Sequence, residues 1–93
     1  MTIKQTGEGR KGSFKAFDLE TEAGNLVYHF AGSDKIIIEH TVVDPAFKGR
    51  NVGKQLVMAA VEFARDQKIR VMPLCPFANS VFEKVPEIND VLY

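Results

Sequence analysis

Residues 35–72 contain the feature that most constrains the fold: a strand pattern, a loop, a long helical pattern and a second strand pattern in direct succession. Lys35–Val43 is apolar on both faces, which is typical of a central strand. Apolar residues recur at helical spacing over Val52–Gln67 and predict a helix of about 16 residues. Ile69–Met72 predicts a short strand before a proline. A strand, a helix and a strand in this order form a crossover unit, which places both strands parallel in one sheet.

Alternation along the first of these strands assigns its side chains to two faces. One predicted face holds Ile36, Ile38, His40 and Val42, and the other holds Ile37, Glu39, Thr41 and Val43.

The segments before the crossover predict a hairpin. Ser13–Glu20 and Leu26–Ala31 have strand patterns, and Thr21–Asn25, with its Gly-Asn pair, is the expected turn between them. Residues 1–12 are expected to form a flexible or weakly paired arm. The arm contains a Gly-x-Gly-x-x-Gly match, which we reject as a dinucleotide fingerprint because a strand-like segment follows it instead of a helix.

After the crossover, Pro76 occupies the position of a first helical residue, and a second, short helix should end near Val85. Residues 87–93 either add an edge strand or pack against the domain. The sequence therefore predicts one domain over residues 1–93. Its fold class is α+β, mixed α/β, with about four mostly antiparallel strands, a β-α-β crossover and two helices.

Composition excludes several classes of function. The 12 basic and 12 acidic residues balance, so no whole face is expected to hold a nucleic acid or a membrane. Neither a signal peptide nor a run of about 20 apolar residues is present, so a cytoplasmic location is expected. Cys75 is the only cysteine, which excludes an internal disulfide, and no metal site is expected.

The loop between the central strand and the long helix is rich in glycine and basic residues. Its backbone N–H groups and the helix dipole suit an anion such as phosphate, and Lys48, Arg50 and Lys54 add positive charge. Every strand-to-helix connection exposes N–H groups, however, and surface loops are often basic. A nucleoside-triphosphate loop does not fit, because the glycine spacing is one residue short and Gln55 replaces the hydroxyl residue that holds magnesium.

Crossover geometry brings two distant segments together. The carboxyl ends of both parallel strands and the start of the long helix lie at the same edge of the sheet. We therefore expect Val42–Gly53 to face Cys75–Asn79. The cysteine would lie at a helix start, where a thiolate is stabilised and its pKa falls.

The junction and the Pro73-Leu74-Cys75-Pro76-Phe77 segment resemble small members of the GNAT (GCN5-related) superfamily of N-acetyltransferases, over roughly residues 13–87. The family motif [Q/R]-x-x-G-x-[G/A], whose N–H groups bind the pyrophosphate of acetyl-CoA, falls on residues 48–53. Lys48 and Asn51 depart from the motif and Gly53 retains it. The resemblance also implies that the preceding strand diverges from the next one to admit the pantetheine arm.

This resemblance implies an acetyl-CoA-dependent transfer of an acetyl group to an amine acceptor whose identity it leaves open. Cys75, as an acyl carrier or as an acid, and His40, as a base, are the expected catalytic residues. Alternatives are a non-catalytic module that binds CoA or acyl-CoA, and a thiol sensor. For His40 the other interpretation is a hydrogen-bonded core residue. The expected CoA-binding residues are Thr41, Val42, Val43, Lys48, Gly49, Arg50, Asn51, Val52, Gly53, Lys54 and Asn79.

Overall fold

A five-stranded sheet with its strands in chain order carries two α-helices on one face. The computed structural model describes all 93 residues. The strands are β1 (Thr2–Glu8), β2 (Lys11–Asp18), β3 (Thr21–Ala31), β4 (Lys35–Val43) and β5 (Arg70–Pro73). The helices are α1 (Val52–Gln67) and α2 (Pro76–Lys84), with 3-10 turns at Pro45–Phe47 and Pro86–Val91.

The predicted crossover is confirmed. Strands β1 to β4 are antiparallel neighbours. Strand β5 pairs in parallel with β4, from Lys35 opposite Arg70 to Ile38 opposite Pro73. The apolar stripe of α1 packs on the sheet, and Leu56, Ala60 and Ala64 are fully buried there. Together with α2 and the last 3-10 turn, these elements form a hydrophobic core of 21 buried residues.

The N-terminal residues differ from the expected arm. Thr2–Glu8 forms an edge strand that pairs with β2 along its whole length, so the sheet has five strands. The side chain of Gln5 also contributes, since its Nε2 donates to Tyr28 Oη at 2.8 Å. Few apolar residues mark β1, and backbone pairing with β2 holds it in place.

The turn between β2 and β3 lies at Leu19–Glu20, so the prediction at Thr21–Asn25 is wrong. Leu19 takes a left-handed φ of 57° and is 94% exposed. Gly24 lies within β3, and packing requires a glycine at this position, because a Cβ would lie 2.9 Å from the carbonyl oxygen of Val42. A β-bulge at Ala23 absorbs the change in register.

A second bulge, at Glu39, changes which face the end of β4 presents. Tyr28 pairs with Ile38 but Val27 pairs with His40, so Glu39 is the extra residue. Beyond the bulge the alternation is inverted. Thr41 lies opposite the buried Leu26 and shares the helix-covered face with it, whereas His40 shares the uncovered face with Val27. The strict alternation expected for this strand is therefore wrong after Ile38.

The C-terminal residues cover the outer edge of β5. Leu92 forms a single parallel bridge with Val71, and the Tyr93 N–H donates to the Val71 carbonyl oxygen at 2.9 Å. Arg65 of α1 holds the preceding turn through Asp90, at 2.8 and 3.0 Å. No helix of the protein is both long and apolar enough to cross a membrane.

Candidate cofactor and active site

The loop from β4 to α1 is fixed by local bonds. Asp44 Oδ1 accepts from the N–H of Ala46 at 2.9 Å and begins the 3-10 turn. Phe47 anchors this turn in the core. Gln55 Nε2 donates to the carbonyl oxygen of Arg50 at 3.2 Å and ties the loop to the helix. The loop is therefore held in one shape at the start of α1.

The start of α1 has an unusual cap. Asn51 occupies the N-cap with a left-handed φ of 58°, and its side chain makes no capping hydrogen bond. Gly49 is also left-handed, at φ 84°. The N–H groups of the first turn of α1 consequently have no side-chain acceptor, which is the condition under which a helix start binds an anion.

A cavity of about 270 Å³ lies at this helix start. Seven of the predicted binding residues border it, together with Phe47 and Phe77: Val43, Lys48, Gly49, Asn51, Val52, Gly53 and Lys54.

Four predicted binding residues lie elsewhere or make other contacts. The Arg50 guanidinium pairs with Asp18 at 3.1 Å, outside the cavity. Asn79 Nδ2 bonds to Glu83 within α2 at 3.4 Å. Val42 is 59% exposed, and Thr41 is close to the cysteine.

Gly53 brings the two helices together. A Cβ at this position would lie 2.5 Å from the Phe77 ring. The glycine is therefore needed for packing of α1 against α2, apart from any contact with a phosphate. Replacement by a bulky residue would therefore displace Phe77.

β4 and the chain after β5 diverge beside this cavity. The last residue pair between β4 and β5 is Ile38 with Pro73, and β4 continues to Val43 without a partner strand on that side. The N–H of Cys75 still donates to the Ile38 carbonyl oxygen at 3.2 Å. The edge of β4 from Glu39 onward is thus open towards the start of α2.

Cys75 is the N-cap residue of α2 and is only 6% exposed. Burial raises the pKa of the thiol, but hydrogen bonds from Ala78, from the Thr41 side chain and from Phe77 outweigh it and hold the pKa below its usual range. The Thr41 hydroxyl is buried and has no other partner. The thiol and the cavity at the start of α1 therefore lie at one edge of the sheet, as the crossover predicts.

His40 lies on the opposite, uncovered face of the sheet and is exposed. The interpretation of His40 as a core residue is therefore wrong. Its neighbour Glu39 reaches His29, whose Nδ1 lies 2.9 Å from Glu39 Oε2. This hydrogen bond, with further help from Lys11, holds the pKa of Glu39 below its usual range. Sequence reasoning missed this pair, although a carboxylate inside an apolar strand was a usable signal.

The fold and this edge define a class: an α+β protein whose two parallel strands diverge beside an uncapped helix start, as in N-acetyltransferases. A family model described as GCN5-related N-acetyl-transferase matches residues 13–91. The chain therefore belongs to the GCN5-related N-acetyltransferase family, and the resemblance found in its sequence is confirmed.

Solved structures agree with this assignment. A GCN5-like protein from Staphylococcus aureus, determined by NMR, is 33% identical, with a TM-score of 0.74 over 99% of this chain and 87% of that protein. The ribosomal-protein-S18-alanine N-acetyltransferase of Escherichia coli, at 12% identity, has the same fold, with a TM-score of 0.71 over 84% of this chain and 53% of its own.

Curated relatives are more distant. Protein NATD1 of Xenopus tropicalis is 28% identical over 61 residues, which cover 66% of this chain and 56% of the relative. NATD1 of Homo sapiens is 26% identical over 61 residues, which cover 66% of this chain and 54% of the relative. The chain thus spans about half the length of the curated relatives it matches.

Proposed function

We propose that this protein binds acetyl-CoA in the cavity at the start of α1 and transfers the acetyl group to an amine. The observation that carries the proposal is that the uncapped start of α1, the open edge of β4 and the Cys75 thiol occupy one edge of the sheet. A protein from Bacillus anthracis with this fold, at 21% identity and a TM-score of 0.62 over 71% of this chain and 38% of its own, was crystallised with acetyl coenzyme A.

The residues present fit CoA at both ends. Backbone N–H groups at Asn51 to Lys54 suit a pyrophosphate, and Lys48 and Lys54 add charge at the cavity rim. The unpaired edge of β4 offers peptide groups to the amides of a pantetheine arm. Arg50 is paired with Asp18, so we assign it no direct phosphate contact.

Cys75 and His40 suit a direct transfer. Acyl transfer forms a bond from the amine nitrogen to the acetyl carbon, breaks the thioester bond, removes a proton from the amine and gives one to the departing thiolate. His40, on the uncovered face, is the base that accepts the amine proton. Cys75, on the helix-covered face, is the acid, and a lowered pKa makes its thiol a better proton donor.

A covalent route through acetyl-Cys75 is the alternative for the same two residues. It would leave the acetyl group on a side chain that is only 6% exposed, where an incoming amine has little access. This placement favours direct transfer. Intact mass after incubation with acetyl-CoA separates the routes: no stable adduct is expected, whereas one added acetyl group that Cys75→Ser abolishes would establish the covalent route.

Binding of CoA is the first test. CoA at 100 times its Kd should add about 2.7 kcal/mol of stability, so thermal unfolding should shift upward by several degrees. Lys48→Gln combined with Lys54→Gln should reduce that shift, and Lys84→Gln, in the last turn of α2, is the matched control. An unchanged unfolding temperature in millimolar CoA would refute the proposal.

Transfer itself is tested by product formation. The protein, acetyl-CoA and a mixture of primary amines should give acetylated amine, detected by mass spectrometry. His40→Gln should lower kcat/KM by about 100-fold, as expected on loss of a general base. CoA binding with no acetylated product from any amine would leave a non-catalytic CoA-binding module as the function.

A further inference from the structure

The face of the sheet that carries no helix, which we call the open face, forms a polar groove. Its side chains follow from the registers of β1 to β4. One row across the strands runs through His40, Val27, Ser13 and Thr6. A groove of about 600 Å³ lies along this row over β1, β2 and β3.

The two ends of the open face carry opposite charge. At the β4 end, Glu39 lies at the bulge and is held ionised by the hydrogen bond from His29. Two strands away, Lys15 borders the groove and lies directly opposite Lys4 of β1. Lys11 also borders the groove, but it lies at the other end, opposite Glu8 of β1 and His29 of β3.

The opposition of Lys4 and Lys15 costs stability, because like charges directly across an antiparallel pair repel. Lys15 is only partly compensated, since its Nζ lies 3.8 Å from a Glu22 carboxylate oxygen in an exposed pair. An anion bound between the two lysines would remove the repulsion. This end of the groove therefore has the chemistry of an anion subsite.

The negative end adjoins the place where acetyl transfer would occur. Glu39 and His40 form the bulge beside Ile38, whose carbonyl oxygen accepts a hydrogen bond from the N–H of Cys75. An ammonium group attracted to Glu39 would lie next to His40, its expected base. His40 and Lys15 are two strands apart and two residues apart along the strand direction, so their Cα atoms are about 12 Å apart. The long Lys15 side chain can cover part of that distance.

From this arrangement we propose that the open face binds the acceptor between His40 and the groove at Lys15, and that the acceptor is a primary amine with an anionic group roughly 8 to 12 Å away. Glu39 and His40 receive the amine, and Lys15, with Lys4, receives the anion. The inference rests on the proposed function for the role of the amine. It adds the acceptor's face, its charge and the distance between its two groups.

The test compares 6-aminohexanoate with 6-amino-1-hexanol, which has the same amine and chain but no charge at the other end. Both are titrated into ¹⁵N-labelled protein saturated with CoA. 6-Aminohexanoate should shift the amides of Ser13, Lys15 and Val27 and bind at least tenfold more tightly than the alcohol. Lys15→Gln should remove that difference, and Lys84→Gln, on α2, should preserve it.

The result separates this inference from the proposed function. Shifts of the Lys48 to Lys54 amides on addition of CoA report the cofactor site alone. Equal affinity for the two amines, no shift with either, or shifts confined to the helix-covered face would overturn the acceptor site even where CoA binds. Loss of CoA binding with an intact preference for 6-aminohexanoate would instead overturn the cofactor site.

Discussion

The backbone N–H of Cys75 donates to the carbonyl oxygen of Ile38 at 3.2 Å, one residue before the bulge at Glu39. This bond fixes the start of α2 against β4 where pairing with β5 ends. The bulge then turns Thr41 towards the helices, so that its hydroxyl meets the thiol. Without the bulge, Thr41 would lie on the open face and His40 would be buried.

The first prediction concerns ionisation of Cys75. The thiolate should form at lower pH than that of a free cysteine, and Thr41→Val should raise the pKa because it removes one hydrogen bond. Absorbance of the thiolate in the ultraviolet, recorded against pH with Cys75→Ser as the baseline, measures both midpoints. A midpoint in Thr41→Val at or below the wild-type value would contradict the assignment.

The same shift has a consequence for stability. The folded pKa of Cys75 lies below the unfolded one, so ionisation adds stability above the unfolded pKa, and this is lost as pH falls through the folded pKa. The destabilisation caused by Thr41→Val should therefore grow towards alkaline pH. Urea denaturation of both proteins at neutral and alkaline pH checks the sign.

The second prediction separates helix capping from anion binding at Asn51. Asn51→Asp places a negative charge at the start of α1, which should leave the free protein equally stable or up to about 0.5 kcal/mol more stable. The same charge repels a pyrophosphate and should weaken CoA binding by about tenfold. Calorimetric titration with CoA measures the affinity. Asn51→Gly, which suits the left-handed φ, is the control and should keep the wild-type affinity.

The third prediction concerns the contact of Gly53 with Phe77. Gly53→Ala should destabilise the protein by about 1 kcal/mol or more, because the new methyl group displaces the ring. In a Phe77→Ala background the same change should be neutral or slightly stabilising, since alanine favours a helix. Urea denaturation of all four proteins gives the coupling. Equal effects in both backgrounds would show that the ring does not restrict this position.

Periodicity was sufficient to predict the crossover. The bounds Lys35–Val43 and Val52–Gln67 are confirmed. In both elements the apolar residues that define the pattern are the residues that pack in the core, so the pattern and the structure have the same cause. Pro76 marked the start of α2 because its ring suits the first helical position. The adjacency of Cys75 to the loop followed from topology alone.

Local deviations could not be predicted. A bulge is one extra residue, and nothing in KIIIEHTVV shows that Glu39 is left out of the pairing. The faces of His40 and Thr41 were consequently reversed. β1 was missed because its stability comes from backbone bonds to β2, which leave no apolar pattern. Arg50 was assigned to a phosphate because Asp18, its partner, is 32 residues away in the chain.

The fourth prediction concerns the turn at Leu19–Glu20, which the sequence did not predict. Leu19 has a φ of 57° and a side chain that is 94% exposed, so it carries backbone strain without compensating burial. Leu19→Gly should stabilise the protein by up to about 1 kcal/mol, because glycine takes this φ without strain and is favoured at the first position of two-residue hairpin turns of this kind. Thermal unfolding measures the gain. Glu20→Gly, at a residue without positive φ, should give none, and a loss of stability in Leu19→Gly would contradict the strain.

The fifth prediction concerns the attachment of the C-terminal turn to α1. Asp90 accepts two hydrogen bonds from Arg65, and this contact holds the pKa of the carboxyl below its usual range. Since the folded pKa is depressed, the contact stabilises the protein above the unfolded pKa and loses its effect as pH falls through the folded one. Asp90→Asn should therefore be less stable than wild type at neutral pH and equal to it in acid. Urea midpoints at both pH values measure the difference, with Asp66→Asn on α1 as the control. A deficit that persists in acid would indicate that packing of Pro86–Val91, and not the ion pair, is lost.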